Sequence, residues 1–346
     1  MPHYAGLDVS LKEISICVVD DRGAVVARGS VRCEPEAVTR FLSRTEIAPD
    51  RIVHESGQLS IWLQRQLEGC GLPIICIDAR MAHKALSARL NKSDKADAEG
   101  LAQLARTGWF TPVHIPSEDA DRLRTMMGVR TQLIRQRRDI ESYVRGVLKT
   151  FGVRMGIVTP SRHRANFREQ LIKAAEADPV LAVIAEGVSS VHETLCMAAA
   201  ELEDELRAIA GQSGLVRRLM TVPGVGPMVA LGFVATVDDP SRFRRATDVG
   251  AFLGLTPRRF QSGDVDRSGR ISKCGDREMR SLLFEAAVCL IRIVKRFSSL
   301  KSWAVRLAAR KGQRKAAVAT ARKLAVLLLT IWKDGTEFEW TKEARA

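Results

Sequence analysis

The stretch YAGLDVSLKEISICVVDDRGAVVARGSV, residues 4–31, decides the fold of the first part of the chain. It contains three apolar runs of strand length, at residues 4–9, 14–19 and 24–31. The residues Asp20, Asp21, Arg22 and Gly23 separate the last two runs and are typical of a turn. The stretch therefore predicts three consecutive strands in an antiparallel meander.

The next segment alternates helix and strand patterns. A helix is predicted at 36–43, a strand at 51–55, a helix at 59–68, a short strand at 73–77, and helices from 79 to 106. The order β-β-β-α-β-α-β-α is that of the RNase H-like fold. We therefore predict an α/β N-terminal domain of this class.

Four acidic residues lie where that fold would bring them together. Asp8 is on the first strand, and Glu55 ends the fourth. Asp94 and Asp97 are three residues apart at the start of a helix, so they share one face. Carboxylate oxygens are the ligands that Mg²⁺ prefers, and Mn²⁺ is an alternative. The pattern predicts a metal site for phosphodiester chemistry; the alternative is four unrelated solvated acids.

From Ser117 onward strand signals vanish and apolar residues recur at helical spacing. Two such stretches, separated by a Gly- and Pro-containing segment at 151–160, predict a long antiparallel helical pair. Such a pair spaces domains, joins protomers, or packs within one chain. We predict three domains: an RNase H-like domain at 1–112, a coiled-coil spacer at 113–212, and a basic helical domain at 213–346.

Charge and cysteine content limit the classes of protein. The net charge is +14, and residues 242–346 carry all of this excess, with 24 Lys and Arg against 10 Asp and Glu. Residues 242–346 are basic and residues 1–241 are neutral, which favours binding of a polyanion by the C-terminal third of the chain. The alternative is that the charge serves solubility. Seven scattered cysteines without a CxxC pair indicate reduced thiols. No signal peptide or membrane span is recognised, which predicts a cytoplasmic protein.

A Pro-Gly-Val-Gly turn lies within residues 219–230 and is typical of a helix-hairpin-helix. Its exposed backbone N–H groups at a helix start would bind a DNA phosphate, with Gly224 and Gly226 permitting close approach. A plain glycine-rich turn between buried helices is the alternative.

A second candidate site follows, in a loop rich in Arg and Lys. Ser262 precedes a glycine, which leaves its hydroxyl accessible, and nearby cations would offset phosphorane charge. An isolated loop serine is otherwise ordinary solvated surface. The predicted DNA-binding cations of this region are Arg258, Arg259, Arg267, Arg270 and Lys273.

Over nearly its full length the chain resembles the DEDD-type insertion-sequence transposases. The matching stretches are Gly6-Leu-Asp-Val-Ser10, His54-Glu-Ser56, Lys92-Ser-Asp-Lys-Ala-Asp97, Pro223-Gly-Val-Gly226, Gly254-Leu-Thr-Pro, Gln261-Ser-Gly, and Gly269-Arg-Ile-Ser-Lys with Gly275.

The resemblance implies a RuvC-like first domain, a metal tetrad at Asp8, Glu55, Asp94 and Asp97, and Ser262 as nucleophile. Asp264 departs from the Ser-Gly-Gly found in many relatives, so Ser268 and Ser272 remain alternatives; they are the reserve candidates for the nucleophile. The resemblance also implies donor and target DNA as substrates, a structured guide RNA from the element, and a homo-oligomer, either dimer or tetramer.

Two other functions remain open. A junction-resolving nuclease would use the same acids with metal-activated water, and a nucleic-acid-binding scaffold would have no catalysis.

Among the remaining candidate residues, Asp78 is predicted to cap a helix, and His54 is predicted to point away from Glu55. Trp303 and Trp332 are predicted to be packing anchors.

Overall fold

The structure, a computed structural model, describes residues 1–87, 94–155, 163–176, 178–262 and 265–340. They form two compact units, Met1–Pro116 and Ser117–Ala346. Asp264 lies outside the described residues, and so does part of the segment 151–160 that we predicted to form a turn.

The first unit is a five-stranded sheet with helices on both faces. Its strands are β1 (Tyr4–Val9), β2 (Glu13–Val19), β3 (Val25–Arg32), β4 (Arg51–Glu55) and β5 (Ile74–Ile77). Its helices are α1 (Pro35–Arg44), α2 (Ser60–Gly69), α3 (Ala79–Leu86) and α4 (Asp94–Thr107).

The strand order is β3-β2-β1-β4-β5. β1 pairs antiparallel with β2 and parallel with β4, which pairs in parallel with β5. This is the RNase H-like arrangement, so the α/β prediction is confirmed. The meander forms as the turn residues indicated: the Asp20 carboxylate accepts hydrogen bonds from the backbone N–H groups of Arg22 and Ala24.

Successive residues of β1 face opposite sides of the sheet, so the strand contributes to the packing on both sides. Ala5 and Leu7 are fully buried among apolar residues of α1 and α2. Gly6 lies on the other face, directly beneath α4. Because successive strand residues point to opposite faces, Asp8 shares the α4 face with Gly6.

The second unit is helical with one β-hairpin. Its helices are α5 (Glu118–Leu148), α6 (His163–Ala175), α7 (Pro179–Gln212), α8 (Gly214–Leu219), α9 (Pro227–Val237), α10 (Val249–Phe252), α11 (Arg277–Arg292), α12 (Ser299–Lys311) and α13 (Gln313–Asp334). Its strands are β6 (Pro257–Ser262) and β7 (Val265–Ile271).

The two long helices α5 and α7 run antiparallel, as predicted. Arg130 on α5 forms an ion pair with Glu203 on α7 at 2.7 Å. Further along, Glu141 on α5 contacts His192 on α7, at 2.9 Å between Oε1 and Nε2. The residue numbers rise on one helix as they fall on the other. The connection differs from a simple turn, because α6 lies between the two helices in the chain and packs on α7 through Phe167 and Leu171.

The largest core of the second unit is built from α8, α9, α11 and α13. α9 is almost wholly apolar and buried, and Trp303 and Trp332 pack against this core as predicted. The hairpin β6–β7 corrects our expectation that strand signals vanish after Ser117. Its strands carry polar and charged residues on both faces, so they lack the alternation by which a half-buried strand is recognised.

α7 is the one described helix long and apolar enough to cross a membrane by length and composition, and 17% of its most apolar window is buried. Its buried face packs on α5 and α6, as in a helical bundle.

All seven cysteines are free, in agreement with the prediction of reduced thiols.

Candidate active site

Asp8 and Glu55 lie at the ends of adjacent parallel strands. Leu7 on β1 pairs with His54 on β4, and the two acids are the next residues of their strands. On β4, Val53 is buried in the core beneath α4, so Glu55, two residues on, points to the same face. Both carboxylates therefore lie on one face at one edge of the sheet, and both are partly buried.

α4 covers this face and begins at the same edge. Gln103, near its end, donates to the Gly23 carbonyl in the β2–β3 turn, at the opposite end of the sheet. Gly6 lies beneath Ala98 and Ala102. The first turn of α4, with Asp94 and Asp97, therefore extends beyond Gly6 toward Asp8. Asp97 is partly buried and Asp94 is exposed.

An open cavity of about 260 Å³ lies beside the strand ends and is lined by Asp8 and Glu55, together with Ser10, Ser56 and Ser60. The oxygen donors of this edge suit a hard divalent cation such as Mg²⁺. Within the described ranges, no group of three or more His, Cys, Asp or Glu side chains lies close enough together to hold a metal ion. The metal tetrad of Asp8, Glu55, Asp94 and Asp97 therefore stays a prediction.

His54 lies on the opposite face from Glu55, as predicted. It is fully buried, and its Nε2 lies 2.9 Å from Gln64 Oε1 on α2. Burial lowers the pKa of His54, despite opposing contributions from Gln64, the Glu55 backbone and Glu68. The neutral ring anchors β4, and hence Glu55, to α2. Asp78 caps α3 as predicted, accepting from the N–H groups of Arg80 and Met81.

Ser262 lies at the end of β6, beside the tip of the hairpin, and is exposed. It pairs with Val265, so only two residues, outside the described set, connect the strands. We predicted a loop here, but the structure has the β6–β7 hairpin, which we call the arm. All residues of β6 are exposed. Ser268 is exposed on β7, and Ser272 follows that strand at the base of the arm.

Arg280 holds the base of the hairpin, a role that sequence reasoning missed. From α11, its Nη1 donates to the carbonyls of Leu253, Cys274 and Gly275 at 3.2, 3.1 and 2.9 Å. Gly254 makes the close approach possible, because a Cβ there would lie 2.0 Å from the Cys274 carbonyl oxygen. The signal available in sequence was Gly254 and Gly275 flanking the Arg-rich segment.

The predicted DNA-binding cations are exposed along the arm and at its base. Arg259 is bound to Asp266 across the hairpin by two hydrogen bonds, of 2.9 and 2.7 Å. That hydrogen bonding raises the pKa of Arg259 and lowers the pKa of Asp266. Arg258 donates to the Ser272 carbonyl. Arg267, Arg270 and Lys273 are exposed, and Lys273 has a left-handed φ of 56°.

Gly224 and Gly226 lie between α8 and α9, the two helices expected around a helix-hairpin-helix turn. Gly224 has a φ of 88°, and a Cβ there would lie 2.6 Å from the Ala286 carbonyl oxygen on α11. Glycine is therefore required at this position for packing against α11, and its contact with a DNA phosphate stays a prediction. No atom lies within 4 Å of a Cβ at Gly226, so the turn is open there.

Comparison with known proteins defines the class. Residues 5–152 match the family model DEDD_Tnp_IS110, described as a transposase, and residues 216–302 match the model described as the transposase IS116/IS110/IS902 family. Together with the RNase H-like sheet and its acidic edge, these matches define an insertion-sequence transposase.

Two transposases are similar to this chain over most of its length. The chain is 28% identical over 329 residues to a transposase for insertion sequence element IS1111A from Coxiella burnetii, covering 93% of this chain and 87% of that protein. It is also 28% identical over 329 residues to a probable family 20 transposase from Pseudomonas aeruginosa, covering 93% and 94%. RuvC from T. thermophilus, solved with a Holliday junction substrate, aligns with 33% of this chain and 100% of its own, at 18% identity and a TM-score of 0.26.

The chain belongs to the IS110 family of DEDD-type insertion-sequence transposases.

Proposed function

We propose that this transposase cuts and rejoins donor and target DNA through a serine nucleophile assisted by a divalent metal ion. The observation that carries the proposal is the placement of Asp8 and Glu55 on adjacent strand ends, on the face where α4 brings Asp94 and Asp97. Mg²⁺, or Mn²⁺ in its place, would be held by these four carboxylates and would supply Lewis-acid polarisation of the scissile phosphate.

Ser262 is the proposed nucleophile, and its exposure near the tip of the arm gives a DNA phosphate access to it. The bond from Oγ to phosphorus forms as the bond from phosphorus to a deoxyribose oxygen breaks. The serine proton leaves Oγ, and the departing oxygen is released as a hydroxyl. The phosphoserine retains the bond energy until another strand's hydroxyl attacks it and restores Ser262.

The chain's cations would bind the phosphates around this reaction. We propose that Arg258, Arg259, Arg267, Arg270 and Lys273 contact DNA from the arm, and that Gly224 and Gly226 expose backbone N–H groups. Since Arg259 is already paired with Asp266, we expect it to contribute less than Arg267 or Arg270. The division into 1–112, 113–212 and 213–346 assigns metal chemistry, spacing and DNA contact to successive domains.

Three further proposals concern partners. A structured RNA from the element would choose donor and target sequences by base pairing, as the family resemblance implies. A dimer or tetramer would allow Ser262 of one protomer to serve the carboxylates of another. The protein would act in the cytoplasm, where DNA, RNA and divalent cations are present together.

The test detects the covalent intermediate directly. The full chain is incubated with DNA carrying the element's ends, RNA transcribed from the flanking DNA, and Mg²⁺, and denaturing gels are scored for a protein–DNA adduct. We expect an adduct in the wild type, none in Ser262→Ala, and none in Asp8→Asn or Glu55→Gln. Asp21→Asn, in an exposed turn, is the matched control and should retain it.

The alternatives predict different gels. Cleavage without adduct that persists in Ser262→Ala would indicate a nuclease using water. An adduct that persists in Ser262→Ala but disappears in Ser268→Ala or Ser272→Ala would transfer the role to that serine. Cleavage insensitive to chelator would overturn the metal assignment, and no cleavage under any condition would indicate a scaffold.

A further inference from the structure

The C-terminal helices contain a long stretch without acidic residues. Between Glu285 and Asp334 there is no Asp or Glu, whereas twelve Lys and Arg occur. A soluble surface normally mixes both signs of charge. This segment covers the last seven residues of α11, all of α12 and nearly all of α13, and it follows the Ser262 arm in the sequence.

The cations are concentrated where α12 meets α13. Gly312, with a φ of 83°, joins the two helices. Arg306 and Arg310 are four residues apart on α12 and therefore share a face; Lys311 ends α12, and Arg314 and Lys315 begin α13. These five residues, all exposed, are called the α12–α13 corner.

The corner's charges are not neutralised within the part of the chain that the structure describes. No ion pair or hydrogen bond joins any of the five side chains to a carboxylate there. Other cations of the same segment do have partners: Lys323 lies over the Trp303 ring at 4.2 Å, and Arg296 over Trp340 at 4.3 Å. Five neighbouring like charges repel one another, and an external polyanion would relieve that repulsion.

The corner's chemistry suits a duplex backbone more than unpaired bases. Binding of single strands relies on exposed aromatic rings on which bases stack. None of the corner's residues is aromatic, and the nearby Trp303 ring packs on the core beneath Lys323. Two helices joined by one glycine hold the cations on a rigid support, which suits a regular row of phosphates.

We infer that the α12–α13 corner binds the phosphate backbone of duplex DNA, independently of sequence and apart from the Ser262 arm. This inference rests on the proposed DNA substrate. Each phosphate neutralised releases counterions, so the corner would give binding a steep salt dependence. It would hold the DNA that flanks the site of strand exchange.

The test measures binding without chemistry. The full chain is titrated with a short duplex DNA of arbitrary sequence, in chelator, at salt concentrations from about 50 to 200 mM. The quadruple variant Arg310→Gln, Lys311→Gln, Arg314→Gln, Lys315→Gln should bind at least about tenfold more weakly at low salt. The slope of log affinity against log salt should fall by up to about 3.6, since each lost phosphate contact removes about 0.9.

Matched controls separate position from charge. Arg138→Gln with Lys149→Gln removes two exposed cations, one on α5 and one directly after its last residue, and should leave both values nearly unchanged. Arg310→Lys with Arg314→Lys keeps the charge and should bind as the wild type does. If the quadruple variant melts at a lower temperature, Arg310→Gln with Arg314→Gln replaces it, with an expected slope change of about 1.8.

An unchanged affinity and slope would overturn the inference. So would a loss confined to duplex RNA or to single-stranded DNA, each measured in parallel, because the corner would then serve a different nucleic acid. Since the assay contains no metal and scores no cleavage, failure of the metal or serine assignments leaves this result intact.

Discussion

The backbone carbonyl oxygen of Ala98 lies 2.2 Å from the position that a Cβ on Gly6 would occupy. The backbone nitrogen of Ala102 lies 2.3 Å from the same point. Only glycine at this position lets α4 rest directly on β1. That contact sets the height of the helix carrying Asp94 and Asp97 above the strand carrying Asp8.

Replacing Gly6 by alanine should therefore displace α4. Both obstructing atoms are backbone, so no side chain can turn aside, and overpacking of this kind costs about 1–3 kcal/mol or more. We expect a lower denaturation midpoint and loss of strand cleavage. Gly69→Ala is the control, because no atom lies within 4 Å of a Cβ there. A Gly6→Ala protein as stable and active as the control would refute the packing argument.

Arg280→Ala should loosen the hairpin without unfolding the helices. It removes the donor shared by three carbonyls at the base of the arm, and hydrogen bonds from charged groups contribute about 1.5–3 kcal/mol. Hydrogen exchange in residues 257–271 should accelerate about tenfold or more, with helical circular dichroism unchanged. Adduct formation by Ser262 should fall with it.

Arg277→Ala provides the comparison, since Arg277 is exposed on the same helix. Equal exchange rates in the Arg280→Ala and Arg277→Ala variants would remove Arg280 from its positioning role.

Glu141→Ala should destabilise the pairing of α5 with α7. Glu141 lies 3.3 Å from Arg137 Nε and 2.9 Å from His192 Nε2, and all three side chains are buried. Removing the carboxylate leaves a buried guanidinium without its counter-charge, which costs about 3–5 kcal/mol. Thermal denaturation should show a clearly lower midpoint. Glu205→Ala, at an exposed position of α7, should denature as the wild type does.

The first unit should lose stability in mildly acidic solution through His54. The pKa of His54 is lowered from its ordinary 6.5 because the ring is buried. The unfolded chain takes up a proton near pH 6.5, whereas the folded ring does so only at lower pH. The contribution of His54 to the free energy of unfolding is therefore complete above pH 6.5, and it declines as the pH falls through the pKa of the folded state.

Denaturation curves between pH 8 and pH 5, an interval that spans the ordinary His pKa of about 6.5, measure this effect. His54→Gln should flatten the dependence of stability on pH, and His83→Gln, at an exposed site, should not. Identical pH dependence in the two variants would contradict the assignment.

Much of this arrangement was predictable because its signals are local. The alternation in residues 4–31 specified the meander, and the turn at Asp20 and the cap at Asp78 follow from side chains that bond their own backbone. The position of Glu55 opposite His54 follows from the two-residue period of a strand. The hairpin was missed because its strands carry polar and charged residues on both faces and give no hydrophobic pattern.

The sequence by itself determined the order of the elements in the first unit, the placement of Asp8 and Glu55 at the ends of strands, and the location of the positive charge in the last third of the chain. The tertiary structure alone decided how closely α4 approaches β1 at Gly6, how Arg280 joins three distant carbonyls, and that the side chains of Glu141, Arg137 and His192 are buried together. Periodicity and capping act within a few residues of the chain. Close packing and long-range hydrogen bonds exist only once both partners have been placed by the fold.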